Sequence, residues 1–79
     1  MPEIDRISGI RFCVFSRDHL PPHFHAFYGE YEVLVAIRTG ETIAGGLPSK
    51  KMREVLEYLD DNREDLLETF FQLNPQFKL

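Results

Sequence analysis

The residue pattern predicts an α+β domain: an antiparallel β-meander of about four strands, followed by two C-terminal helices packed on one face. Three observations carry this. Apolar residues alternate with period two through the first half, Gly29-Glu30 and Thr39-Gly40 punctuate it as hairpin turns, and after Pro48 the period changes to that of a helix. Strands first and helices last is the pattern of a sheet covered on one side.

The elements follow in order. Ile10 to Phe15, rich in β-branched and aromatic residues, reads as a strand with Ile10, Phe12 and Val14 on one face. After Pro21-Pro22, His23 to Tyr28 reads as a second strand, with His23, His25 and Phe27 on one side and Phe24, Ala26 and Tyr28 on the other. Gly29-Glu30, glycine first, suits a type II′ turn into a strand 31–37 whose apolar face is Tyr31, Val33, Val35 and Ile37. A short edge strand is expected at Thr42 to Ala44, so the meander covers about 4–45. Met52, Val55, Leu56 and Leu59 then form the stripe of a helix, about 49–61, begun by Pro48 or Ser49. Asn62 with Asp65 resembles a capping box that starts a second helix, about 63–73, with Leu66, Leu67, Phe70 and Leu73 inward and Pro75 ending it.

A chain of 79 residues has room for one domain, 1–79, with no repeat or linker. The lone Cys13 sits in an apolar run and reads as core in a reducing cytoplasm. The opening Met1-Pro2-Glu3-Ile4-Asp5 is unlike an export signal, and the longest apolar run, Val33 to Ile37, is too short to cross a bilayer. The formal charge of −4 argues against a general attraction to nucleic acid. Phosphate binding would have to come from a local set such as Arg6, Arg11 and Arg17. The acidic stretch Glu54 to Glu68 reads as a solvated helix face or as a docking surface for a basic partner.

The chemistry-bearing segment is Arg17-Asp18-His19-Leu20-Pro21-Pro22-His23-Phe24-His25, which holds all three histidines of the chain. Two residues apart on a strand, His23 and His25 should project from one face about 6 to 7 Å apart. His19 could approach from a loop stiffened by the prolines. One reading has neutral imidazoles of His19, His23 and His25, with Asp18, binding a divalent transition metal such as zinc or nickel. A second needs no cofactor: the histidines act as acid and base, Arg17 holds a phosphate and Asp18 orients an imidazole, a set able to cleave RNA. A third is purely structural, with Arg17 and Asp18 paired across a turn and the histidines bonded to main-chain groups. Phe27, Tyr28 and Tyr31 could stack bases, although aromatics on strands of so small a domain more often form core.

The opening Met1-Pro2-Glu3-Ile4 with Arg6, then Gly9-Ile10, the Arg17-to-Ala26 string, Tyr28-Gly29 and Leu47-Pro48 resemble the prokaryotic family known as domain of unknown function 4160, over nearly the whole chain. Members often carry a tryptophan in the last helix, where this chain has Phe70 or Phe71. The resemblance implies a bacterial, cytoplasmic protein, often encoded beside a small uncharacterised protein in pairs that look like toxin–antitoxin modules. It implies no established catalytic role for the motif. The leading expectation is a toxin-like member of such a pair, a ribonuclease with Arg17, Asp18, His19, His23 and His25 as its acid–base set. The alternative is a non-catalytic interaction or metal-binding regulatory module. Expected partners are the neighbouring small protein, RNA and, through the edge strand, a second copy.

Overall fold

In the computed structural model, which describes residues 3–77, five strands precede one long helix. They are β1 (Glu3–Ile7), β2 (Ile10–Cys13), β3 (His23–Tyr28), β4 (Tyr31–Ala36) and β5 (Thr42–Gly45); the helix is α1 (Ser49–Leu73), and Pro75–Phe77 form a 3-10 turn. Each strand pairs antiparallel with its neighbour in sequence, so the sheet is a five-stranded meander centred on β3. No helix of the described residues is long and apolar enough to cross a membrane.

The α+β class and the meander agree with the sequence; two details do not. The first is β1, a fifth strand, which pairs with β2 through a tight turn at Ser8-Gly9 where both residues take positive φ (54° and 77°). Its five residues, Glu-Ile-Asp-Arg-Ile, are nearly all exposed, so no alternating apolar face announces it. The second is the helix count. Asn62 does depart from helical geometry (φ −129°, ψ 18°), but the helix continues through it as one kinked element rather than two. The expected capping box does not form. Asn62 Nδ2 instead donates backwards to the carbonyl of Tyr58 at 3.0 Å, satisfying the preceding turn and opening no new helix.

Turn chemistry fixes the register elsewhere. Tyr28 faces Tyr31 across the Gly29-Glu30 loop, and Gly29 takes φ +57° as the first position of a II′ turn requires. β2 stops at Cys13, short of the expected Phe15. β4 leaves the ladder after Ala36, where main-chain bonds from Gly40 N–H to the Ala36 carbonyl and from Ala36 N–H to the Glu41 carbonyl close the loop into β5.

Between sheet and helix lies one core. Ile10, Phe12, Val14, Phe24, Ala26, Val33, Val35 and Ile37 from the sheet side meet Val55, Leu59, Leu66 and Phe70 of α1. The Tyr58 ring stacks on Phe12 with centroids 3.9 Å apart, and its burial there pushes the phenol pKa up to about 12. The helix stripe is narrower than the sequence suggests: Leu56 is exposed, and Met52, Leu67 and Leu73 only border the core. Tyr31, expected on the apolar face of β4, is exposed at its tip.

Two predictions follow from this packing. Gly45 takes φ +73°, and a Cβ there would collide with the carbonyl oxygen of Glu32. Gly45→Ala should therefore cost about 2 kcal/mol or more in urea unfolding, while Gly46→Ala, which meets nothing within 4 Å, should be close to neutral. Cys13 is fully buried and burial raises its thiol pKa, so Ellman's reagent should label native protein negligibly and label it fully in denaturant.

Candidate metal centre

Residues 14–22 carry the chain from β2 to β3, and this loop lies against the C-terminal end of α1. Strand parity explains the first two site residues. Phe24 and Ala26 of β3 turn into the core under α1, which leaves His23 and His25 projecting together on the alternate parity, with ring centroids 5.3 Å apart. His23 comes straight after Pro22, whose carbonyl accepts the N–H of Ile37 at 2.9 Å, so the start of β3 is fixed. The Leu20–Pro21 peptide bond is cis.

The tautomer of each imidazole can be read from its partner. His23 Nδ1 lies 2.9 Å from the carbonyl oxygen of Pro21, which can only accept, so Nδ1 holds the proton and Nε2 of the neutral ring keeps a lone pair. His25 bonds on both sides: Nδ1 is 3.1 Å from Glu32 Oε2, and Nε2 is in a long hydrogen bond with Asp18 Oδ2 at 3.5 Å. His19 Nδ1 is 3.3 Å from the Leu20 carbonyl.

All three Nε2 atoms converge on the carboxylate of Asp18. His23 Nε2 is 2.9 Å from Oδ2, His25 Nε2 is 3.5 Å from the same oxygen, and His19 Nε2 is 3.8 Å from Oδ1. Burial ranks them. The His23 side chain is 1% exposed, His25 14% and Asp18 17%, whereas His19 is 77% exposed. The contact between His23 Nε2 and Asp18 is short in distance yet lacks the alignment of a hydrogen bond, so this fully buried nitrogen has no hydrogen-bond partner.

Asp18 is held on both sides. Its N–H donates to Asn74 Oδ1 at 2.7 Å, and its own Oδ1 accepts the N–H of His19 at 2.9 Å. Burial alone pushes its carboxyl pKa up, but the His19 N–H and the imidazoles of His23, His25 and His19 together outweigh this and hold the pKa below the usual value. Around the cluster, Phe15 meets the His25 ring edge-on at 4.6 Å and Phe70 lies 5.8 Å from the His23 ring.

The structure therefore brings together Asp18, His23 and His25, with His19 at the rim. Arg17 stands apart: it is exposed, takes a left-handed φ of +58°, and makes no side-chain hydrogen bond or ion pair among the described residues, including the one with Asp18 that a structural reading of the motif would require. Arg6 and Arg11 do not join it in a phosphate cluster, because both lie on Glu3, at 3.0 and 3.8 Å. Of the aromatics, Phe27 lies on the His25 side beneath Arg11, while Tyr28 borders the core. Sequence reasoning missed two members of the cluster. Glu32 could have been found from the β3–β4 register, which pairs it with Phe27 and so puts it on the face of His25. Asn74, 56 residues from Asp18, left no local signal.

Comparison with curated proteins and with solved structures finds no match. The sequence profile of the domain of unknown function 4160 matches residues 9–70, which span β2 to the last turn of α1 and include every candidate ligand. The chain belongs to this family, domain of unknown function 4160 (DUF4160).

Proposed function

We propose that this protein is a divalent transition-metal-binding module whose ligands are Asp18, His23 Nε2 and His25 Nε2. One ligand atom from each of these residues lies within 4.8 Å of the others. The observation that carries the reading is the orphaned, fully buried Nε2 of His23, facing a carboxylate oxygen 2.9 Å away without a hydrogen bond. His25 reaches Asp18 Oδ2 through a long hydrogen bond, but the His23 nitrogen beside the same oxygen is left unsatisfied, and a cation among the three would satisfy it. Protonating both rings would supply charge, but the poor alignment at His23 then wastes a buried N–H. A metal ion satisfies all three donors at once. Tetrahedral zinc with bonds of about 2.0–2.1 Å sets its ligand atoms about 3.3 Å apart; the two imidazole-to-Asp18 distances, 2.9 and 3.5 Å, lie on either side of this, and the whole set falls within 4.8 Å.

The surroundings support the same reading. Metal-bound histidines usually donate their second ring nitrogen to a carbonyl or carboxylate, and Pro21 and Glu32 take those places. The donor set suits zinc, nickel or iron(II), and three protein ligands leave positions facing solvent past His25 and Asp18 for water or a small ligand. The alternative, metal-independent acid–base cleavage of RNA by a toxin-like protein, uses the same residues less well. It needs His23 in contact with a phosphate it is too buried to reach, and a phosphate clamp from Arg17, whose exposed side chain is tied to the cluster by no hydrogen bond or ion pair among the described residues.

Tag-free protein supplied with Zn(II) or Co(II) should hold one equivalent by elemental analysis, and free metal at a hundredfold over Kd should raise Tm by about 10 °C. Metal well below one equivalent and an unmoved Tm would sink the reading. Glu32→Gln, at a half-exposed position, should weaken binding about ten- to a hundredfold with little change in the Tm of metal-free protein. Arg17→Gly should leave metal binding intact; growth arrest by the wild-type gene that Arg17→Gly abolishes would instead favour the RNA reading.

A further inference from the structure

Asn74 is fully buried, and both protons of its amide and its oxygen are used. Nδ2 donates to the carbonyls of Phe15 and Phe70, each at 2.9 Å, and Oδ1 accepts the N–H of Asp18 at 2.7 Å. Its own N–H caps the helix on the Phe70 carbonyl. One side chain thus joins the end of α1 to both sides of the turn that presents Asp18. That turn passes through Arg17, a non-glycine residue in left-handed conformation, which a loop adopts only when its surroundings hold it there. A second contact comes from the same turn of helix, where the Phe70 ring lies 5.8 Å from the ring of His23. The hydrogen bonds of Asn74 go to main-chain groups and not to a ligand side chain, so its influence on the ligands is indirect.

We infer that Asn74 is the positioning residue of the metal centre, and that metal occupancy is thereby coupled to docking of the C-terminal part of α1, residues 63–73. This rests on the metal reading above. Val55 and Leu59 anchor the first part of the helix to the sheet, Leu66 and Phe70 anchor the second, and the non-helical backbone at Asn62 lies between the two. The kink lets the second anchorage, which Asn74 extends into the site loop, open as a unit distinct from the first. When it loosens, the N–H of Asp18 loses its acceptor and the carboxylate is no longer held over His23 and His25. Binding linkage is reciprocal: whatever docking adds to metal affinity, bound metal adds to docking.

The test uses the full chain with Zn(II) as probe. Zinc affinity is measured for the wild type, Asn74→Ala and Val55→Ala, the last being a core truncation remote from the loop. Amide hydrogen exchange of the wild type is followed with and without zinc. Asn74→Ala should bind about ten- to a hundredfold more weakly, whereas Val55→Ala, though less stable, should stay within about twofold of the wild type when folded. Zinc should slow exchange in residues 66–74 at least about tenfold more than in residues 52–61. Equal affinity of Asn74→Ala and wild type, or equal slowing in the two parts of the helix, overturns the coupling. Should Asn74→Ala fail to fold, the exchange contrast in the wild type decides. No zinc binding by the wild type removes the metal reading itself, a different failure from zinc binding that ignores Asn74.

Discussion

A carboxylate oxygen and two imidazole nitrogens share a space a few ångströms across at the junction of sheet and helix. Left to themselves such groups would turn outward to water. Here they cannot, because each is held from behind: His23 by the Pro21 carbonyl, His25 by Glu32, Asp18 by Asn74 and the His19 N–H. The cluster is thus held in place by groups outside it, and this separates it from a chance meeting of polar surface residues. A negative charge kept partly out of water is tolerated only where something positive compensates it.

The fold supplies the rigidity this requires with few parts. One helix covers one face of the sheet, and the apolar residues of β2, β3 and β4 meet four helix residues in a single core. In so short a chain that core leaves little to spare. Long-range polar contacts reinforce it along the helix: Lys51 Nζ donates to the Ser8 carbonyl near its start, Arg63 Nε reaches the Ile37 carbonyl near the kink, and Asn74 binds the β2–β3 loop at its end. The polar contacts lie where the apolar stripe runs out.

What the sequence disclosed follows the range of the physics involved. Gly29-Glu30, the alternation in 23–28 and the period change after Pro48 are local signals, and each lies where the structure has the corresponding turn, strand or helix. The histidine cluster was legible for the same reason, being confined to one short segment. β1 was not, since an exposed edge strand needs no apolar face. Asn62 was noticed but misread, because its side chain can cap a following helix or bond to the preceding turn, and only the packed structure selects the second. Glu32 required knowledge of register, and Asn74 required knowledge of where the helix end lands on the sheet.

The two rims of the sheet differ in what they offer to another strand. Along β1 run Glu3, Asp5 and Arg6, so an incoming strand would have to strip water from charged groups to pair there. Along β5 there is little charge, but the strand is four residues long, its partner ladder is irregular between Leu34 and Val35, and it ends in Gly45 with left-handed φ. One rim repels by hydration and the other offers too short and too bent a template. Both features count against stacking of such meanders end on end into fibres.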